Sequence, residues 1–144
     1  METIAVFVND SEEAEASVDF GAREAAVRKA RLRLIAAWEV PQSMLGSGLA
    51  QREVFDEFKE AAEDMLREAA KSAWEVAPTV EIEMHAVRGQ PGPVFVEESR
   101  DCALAVAARK PEGVLRELVV GSISGYILRN LRIQGVGIPS LVEW

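Results

Sequence analysis

Apolar and polar residues are arranged along the chain in a way that predicts five strands. Residues 3–8 (TIAVFV) and 32–38 (LRLIAAW) are short apolar runs, as expected for buried strands. The segment 79–87 (TVEIEMHAV) alternates apolar and polar residues, which indicates a strand with one wetter face. Further apolar runs at 102–108 (CALAVAA) and 135–144 (GVGIPSLVEW) predict the fourth and fifth strands.

Between these strands, apolar residues at spacings of three and four predict helices. Ser11 caps the first helix, which runs to about Lys29. The longest helix runs from Gln51 to about Glu75 and carries charged residues on its other faces. The stripes expected to pack these helices are Ala14, Val18, Ala22 and Ala25 in the first, and Val54, Phe58, Ala61, Met65 and Ala69 in the second.

Two shorter helices complete the pattern. One begins in GQPGPVFVEESR, where Pro91 or Pro93 suits a first helical turn. The last is opened by Gly121 and Ser122 and ends at about Arg132. Strands that alternate with helices imply right-handed crossovers. We therefore predict one α/β domain over all 144 residues, a doubly wound, five-stranded, mostly parallel sheet with helices on both faces.

Composition supports this architecture and excludes several function classes. The hydrophobic fraction is 49% and the aromatic fraction only 6%, so the core is aliphatic, as suits buried parallel strands. The formal net charge is −8 and no dense run of Lys and Arg is present, so nucleic-acid binding is not expected. No apolar run approaches the ~20 residues that span a bilayer, and the N-terminus lacks the basic segment of a signal peptide. We expect a cytoplasmic protein that binds no membrane.

Few residues of the kind that carry chemistry are present. Cys102 is the single cysteine, so we interpret it as a small buried hydrophobe. His85 is the single histidine, so a zinc site is not expected, and its ring should be hydrogen bonded within a strand. The sequence has no Gly-x-Ser-x-Gly elbow, no Gly-x-Gly-x-x-Gly after the first strand and no Walker lysine. A response-regulator receiver is excluded because the third strand ends in AVRG and the chain ends without a lysine.

Ligands of open α/β sheets bind beyond the carboxyl ends of the strands, where the strand order reverses. The residues in those places are Asn9 and Asp10, then Ala37 and Trp38, and then the segment ARKPEG after the fourth strand. Gly121 and Ser122 lie near the same rim, where backbone N–H groups and a hydroxyl at a helix N-terminus can hold an anion. Ser122 is equally explained as a helix cap, and both roles can hold together.

The chain resembles the universal stress protein family over nearly its whole length. The matching stretches are IAVFVNDSEEA, LRLIAAWEVP, EIEMHAVRGQP, VVGSISGYILR and GIPSLVEW, of which VGSISGYILR is the most specific. The resemblance implies a small doubly wound domain that forms a homodimer through its last strand. In this chain that strand contains Pro139, Leu141, Val142 and Trp144, and Trp144 could instead fold back onto its own domain.

The resemblance also implies a nucleotide site, since one branch of the family binds ATP and another does not. The ATP-binding branch carries a glycine, two residues, a second glycine, nine residues and then Gly-Ser or Gly-Thr. Gly121 and Ser122, followed by Ile123, match the last part of this motif. Ala108 and Pro111 stand where the two earlier glycines are expected.

Two further positions carry over from the family's adenine pocket. Asn9 stands where the family has the aspartate that reads the adenine, and its amide oxygen could still accept from an adenine amino group. Ala37 stands where a hydrophobic residue lines the pocket. The resemblance therefore implies a site of which half is present and half is altered.

The altered loop is expected to lower the affinity for a triphosphate. The methyl of Ala108 costs about 1 kcal/mol of binding free energy. Pro111 removes an N–H whose charge-assisted bond to a phosphate is worth about 1.5–3 kcal/mol. The total of roughly 2.5–4 kcal/mol is about 10² to 10³ in affinity. Glu112 would add repulsion, whereas Arg109 and Lys110 either supply compensating charge or are solvated loop charges.

Two hypotheses follow. The first is a non-enzymatic dimeric stress-response module that requires no cofactor, has lost tight ATP binding and acts through unidentified protein partners. The alternative is a regulator that binds ATP or AMP, with weak ATPase activity or self-phosphorylation at Ser122 or Ser124. The broken glycine pattern favours the first hypothesis, and the intact GSIS with the Arg109–Lys110 pair supports the second.

Overall fold

A computed structural model describes residues 1–11, 13–46, 50–107 and 140–143. The helix predicted at 121–132 lies outside these residues. Within the described ranges, the strands are β1 (Thr3–Phe7), β2 (Arg31–Trp38), β3 (Ile82–Arg88), β4 (Leu104–Ala107) and β5 (Ser140–Glu143). The helices are α1 (Glu13–Arg28), α2 (Ala50–Val76) and α3 (Pro91–Glu98), with a 3₁₀ turn at Gln42–Met44.

The strands form one sheet in the order β3-β2-β1-β4-β5, and every neighbouring pair is parallel. The chain moves from β1 to β2 and β3 on one side, then crosses to β4 and β5 on the other side. The strand order therefore reverses between β1 and β4. This confirms the predicted doubly wound α/β sheet, and the element ends differ from the predicted ones by only a few residues.

Alternate residues of β1 enter two separate cores, one on each face of the sheet. Ile4 and Val6 pack with residues of α1 and α2, whereas Ala5 and Phe7 pack with residues of α3. All four side chains are buried. Because β1 is covered on both faces, its sequence is continuously apolar instead of alternating. Helices on both faces of the sheet are thereby confirmed.

Helix α1 packs closely on β1 because Gly21 has no side chain. A Cβ atom built on Gly21 would lie 2.3 Å from Cγ2 of Val6. The stripe predicted from the sequence is confirmed, since its four members are all buried: Ala14, Val18, Ala22 and Ala25. A small-residue face therefore allows this helix to approach the sheet.

The stripe predicted for α2 is only partly right: Ala69 belongs to the core and Met65 packs against it, but the centre of the stripe is displaced. Ala61 is exposed, while Ala62 and Leu66 are buried in the core. The core-facing residues of this helix are Ala62, Leu66, Ala69, Ala70 and Ala73. Of the predicted stripe, Phe58 and Met65 are only partly buried, on a flank of the helix. The spacing identified an amphipathic helix, but its rotation on the sheet depends on how small residues allow the helix axis to approach.

We predict that Gly21→Ala destabilises the protein. Alanine is the better helix former by about 1 kcal/mol, but the added methyl overlaps Val6, and overpacking typically costs about 1–3 kcal/mol. Urea unfolding should therefore show a lower free energy of unfolding in spite of the gain in helix propensity. Combining Gly21→Ala with Val6→Ala removes the overlap, so the double variant should lose less than the two single losses added together. Additive losses would contradict this close contact.

Candidate functional site

The carboxyl ends of β1 and β2 lie side by side at the rim where the strand order reverses. The ladder extends one residue past β1, because the Val8 N–H donates to the Ile35 carbonyl over 2.8 Å. The next residues, Asn9 and Asp10, leave the sheet at this rim. Ala37 and Trp38 are the last residues of β2. The structure thus brings together the positions that the strand order predicted.

A cavity of about 470 Å³ lies between these strand ends and helix α2. Its lining includes Asn9 and Ala37, the two residues carried over to the adenine pocket. Phe58 and Met65 of α2 contribute an aromatic ring and a thioether. This volume falls within the range of about 300–1,000 Å³ typical of small-molecule sites. The cavity can therefore accept a planar ring between apolar side chains.

A second cavity, of about 280 Å³, shares part of this lining and continues between α1 and α2. Asn9, Asp10 and Met65 line both cavities. Glu15 and Glu68 also line the second cavity, so its lining is acidic. A polyphosphate is therefore not expected to extend in this direction, because carboxylates repel anions.

The side-chain oxygen of Asn9 is already engaged within the chain. Asn9 Oδ1 accepts from the backbone N–H of Ser11 over 2.9 Å and also from the Ser11 hydroxyl. A backbone N–H can only donate, so the atom that faces it must be the amide oxygen and not the nitrogen. Both lone pairs of that oxygen are used. This differs from the expectation that the Asn9 oxygen accepts from an adenine amino group.

Aromatic and cationic side chains hold the start of α2 over the ends of β2 and β3. The Trp38 and Phe55 rings meet edge to face, with centroids 6.3 Å apart and an angle of 75°. The Arg88 guanidinium lies 4.4 Å from the centroid of the Phe55 ring. Trp38 also lines the larger cavity, so this contact fixes one of its walls.

The other predicted site residues lie outside the described residues. They are Ala108, Arg109, Lys110, Gly121, Ser122 and Ile123, together with the altered positions Pro111 and Glu112. Strand β4 ends at Ala107, beside β1 at the same rim.

Sequence reasoning did not assign Phe58, Met65 or Pro91 to the site, although all three line the larger cavity. The first two were predicted as core residues. Their helical spacing is identical for a core stripe and for a cavity wall, so the spacing could not separate the two roles. A signal was available at Pro91, which directly follows the turn after the third predicted strand.

A cluster of charged side chains lies on the α3 face of the sheet, centred on Arg33. Arg33 Nε donates to Glu83 over 2.9 Å, and one terminal nitrogen donates to Asp101 over 2.8 Å and to the Glu98 carbonyl over 2.9 Å. The hydrogen bond to Asp101 raises the pKa of Arg33, and the same bond lowers the pKa of Asp101. Strands β2 and β3 are thereby tied to the end of α3.

His85 joins the same cluster from β3. Its Nδ1 lies 2.7 Å from a Glu98 carboxylate oxygen, and its Nε2 lies 3.5 Å from Glu83. A carboxylate accepts, so Nδ1 carries the hydrogen in the shorter contact. This confirms the expectation of a strand histidine with a hydrogen-bonded ring. Within the described ranges, no group of three or more His, Cys, Asp or Glu side chains could hold a metal ion.

Cys102 lies at the edge of this cluster and is buried, as the sequence predicted. Burial raises the pKa of its thiol to about 11, even though the nearby Arg33 charge acts in the opposite direction. A thiol with this pKa is almost entirely protonated at neutral pH, and the thiolate is the nucleophile. Cys102 therefore packs as an apolar side chain and is poorly suited to act as a nucleophile.

Of the helices in the part of the chain that the structure describes, none is long and apolar enough to cross a membrane.

Comparison with known proteins gives a family and a fold. A model of the universal stress protein family matches residues 1–134. A universal stress protein in complex with cAMP is 21% identical with a TM-score of 0.70, and the match covers 99% of this chain and 95% of that one. UspA from Lactobacillus plantarum is 16% identical with a TM-score of 0.73, covering 99% and 96%. A universal stress protein from Archaeoglobus fulgidus in complex with dAMP is 20% identical with a TM-score of 0.65, covering 99% and 97%. No curated protein matches the sequence.

We predict that Arg33→Gln lowers the free energy of unfolding by about 2 kcal/mol, because it removes the guanidinium that donates to Glu83, to Asp101 and to the Glu98 carbonyl. The side chain of Arg33 is only 12% exposed, while that of Asp101 is 70% exposed. The bond to Asp101 therefore contributes less to stability than the more buried bonds of Arg33. Urea unfolding at pH 7 measures the loss. Arg31→Gln is the matched control on the same strand. Arg31 contacts Glu81 and Glu83 but its side chain is 32% exposed, so we expect its loss to cost at most about 1 kcal/mol.

The same comparison at acid pH tests the role of Asp101. Folding lowers the pKa of Asp101, so its contribution is complete above the ordinary aspartate pKa of about 3.9 and is lost as the pH falls through the lowered value. The difference between wild type and Arg33→Gln should therefore shrink in acid. Equal losses for the Arg33 and Arg31 variants at pH 7 would contradict the central role of Arg33.

Proposed function

Because the chain belongs to the universal stress protein family, we propose that it acts as a non-enzymatic dimeric stress-response module that has lost tight ATP binding. One observation carries this proposal. The Asn9 oxygen, at the position that reads adenine in the family's ATP-binding branch, already accepts two hydrogen bonds from Ser11. An adenine amino group that approached this oxygen would have to displace one of them, and the displaced donor would lose its partner.

The sequence of the phosphate loop supports the same conclusion. Ala108 and Pro111 replace the two glycines of the ATP-binding pattern, and Pro111 has no N–H to donate. The two changes together are expected to cost roughly 2.5–4 kcal/mol of binding free energy. Base recognition and phosphate recognition would thus be weakened independently of each other.

The remaining parts of the proposal concern location and partners. A cytoplasmic location is proposed from the single cysteine, which fits a reducing compartment. No catalytic motif is found in the sequence, so the module would act through protein partners and not through a reaction.

A second candidate function is a regulator that binds adenine nucleotides. The observation that favours it is the 470 Å³ cavity, which is lined by both Asn9 and Ala37 together with apolar side chains. Two structurally similar universal stress proteins were solved with cAMP and with dAMP. In this case Gly121 and Ser122 would hold the phosphates, with weak ATPase activity or self-phosphorylation at Ser122 or Ser124.

Titration with magnesium ATP separates the two candidates. We expect isothermal titration calorimetry at millimolar excess to give no saturable heat with the wild-type protein. The double variant Ala108→Gly/Pro111→Gly restores the glycine pattern. Its affinity for magnesium ATP should be about 10² to 10³ times that of the wild type. A saturable curve with the wild type would favour the regulator, and Gly121→Glu should then abolish it.

The proposed homodimer has its own test. Strand β5 lies at the edge of the sheet, and an edge strand can pair its free backbone groups with a second copy. We expect light scattering to report a dimer at micromolar concentration. Leu141→Lys in β5 places a charge in the proposed interface and should yield monomers, whereas Glu81→Lys, next to the opposite edge strand β3, should leave the dimer intact. A monomeric wild-type protein would contradict the proposal.

A further inference from the structure

The contact between Asn9 and Ser11 leaves Asn9 with only one kind of polar group to offer a ligand. Its oxygen is occupied, and rotating the amide would turn the NH₂ group against the Ser11 N–H, where two donors would face each other. Among the described residues, no hydrogen-bond partner is found for Asn9 Nδ2. Since Asn9 lines the larger cavity, the position presents a hydrogen-bond donor to a ligand and not an acceptor.

The next residue offers the complementary group. Asp10 lines the same cavity, and no residue in the described part of the chain bonds to its carboxylate. An ionised carboxylate has two acceptor oxygens and no donor. Asn9 and Asp10 together therefore present one donor and two acceptors on neighbouring residues at the mouth of the cavity.

We propose that this cavity binds the guanine base of a small-molecule nucleoside or nucleotide in preference to adenine. Guanine presents a carbonyl oxygen beside two N–H groups on one edge, so it can accept from Asn9 and donate a parallel pair of bonds to Asp10. The corresponding edge of adenine has one donor position and one acceptor, which leaves an oxygen of Asp10 without a partner. The extra bond is charge-assisted, which makes it strong enough to decide the preference.

The apolar part of the cavity suits the ring itself. Phe58 and Met65 offer an aromatic face and a polarizable sulfur, and Ala37 leaves room at the end of β2. No positively charged side chain lines either cavity among the described residues. The site is therefore built for an uncharged base, and its selectivity can be measured without a phosphate.

This inference extends the proposed function to a ligand that the module still recognises, and it depends on the same contact between Asn9 and Ser11. Its test is separate, because guanosine and adenosine carry no phosphate and do not report on the loop at 108–111. The ATP titration can therefore fail or succeed independently of the base preference.

The experiment titrates guanosine, inosine and adenosine into ¹⁵N-labelled protein and follows the Asn9 side-chain amide and neighbouring backbone signals by NMR. Guanosine should bind about tenfold more tightly than adenosine. Inosine lacks the second N–H group and should bind about as tightly as adenosine. The Asn9 amide signal should move with guanosine.

Asn9→Asp is the matched variant, because its new carboxylate keeps an oxygen for Ser11 and replaces the donor with a second acceptor. We expect guanosine binding to weaken about tenfold or more in this variant, whereas adenosine, whose amino group gains an acceptor at position 9, should bind as tightly as before or more tightly. Asp10→Asn should also weaken the binding of guanosine more than the binding of adenosine. The proposal is overturned if the wild type binds neither nucleoside, if adenosine binds as tightly as guanosine, or if Asn9→Asp leaves the preference unchanged.

Discussion

The burial of β1 on both faces is the constraint on which the rest of the structure depends. Every residue from Thr3 to Phe7 is buried, and the strand is paired with β2 on one side and β4 on the other. A central strand of this kind can be formed only if helices cover both faces, which fixes a three-layer arrangement of helices, sheet and helices. It also places the reversal of strand order beside β1. The residues that follow β1 therefore open onto a crevice and not onto a neighbouring strand.

The polar side chains divide into two groups with different roles. Near the carboxyl ends of the strands, Asn9 and Asp10 line a cavity, and the Asn9 nitrogen and the Asp10 carboxylate have no hydrogen-bond partner among the described residues. On the α3 face, Arg33 has its donors engaged by Glu83, Asp101 and a backbone carbonyl. Groups that are fully paired within the chain hold elements together, and groups with free donors or acceptors can recognise a ligand. The Arg33 cluster is accordingly structural, and the rim after β1 is where we propose that a ligand binds.

Much of the fold could be predicted because it depends on local pattern. Apolar runs identified the strands, helical spacing identified the buried stripe of α1, and the order of elements predicted a parallel doubly wound sheet. The burial of Cys102 and the hydrogen-bonded ring of His85 also followed from the sequence. The stripe of α2 followed only in part, because periodicity fixes the existence of an apolar face but not the rotation of the helix about its axis. One position separates exposed Ala61 from buried Ala62.

The sequence by itself determined which residues stand at the rim, since strand ends follow from where apolar runs stop. It also determined that Asn9, and not an aspartate, follows the first strand. Only the tertiary structure decided what Asn9 can do, because a carboxamide carries both a donor and an acceptor and the sequence does not say which one the chain uses. The turn after β1 brings Ser11 back to the Asn9 oxygen, and the nitrogen has no partner among the described residues. Hydrogen-bonding direction is a property of three-dimensional neighbours, and for that reason it could not be read from residue identity.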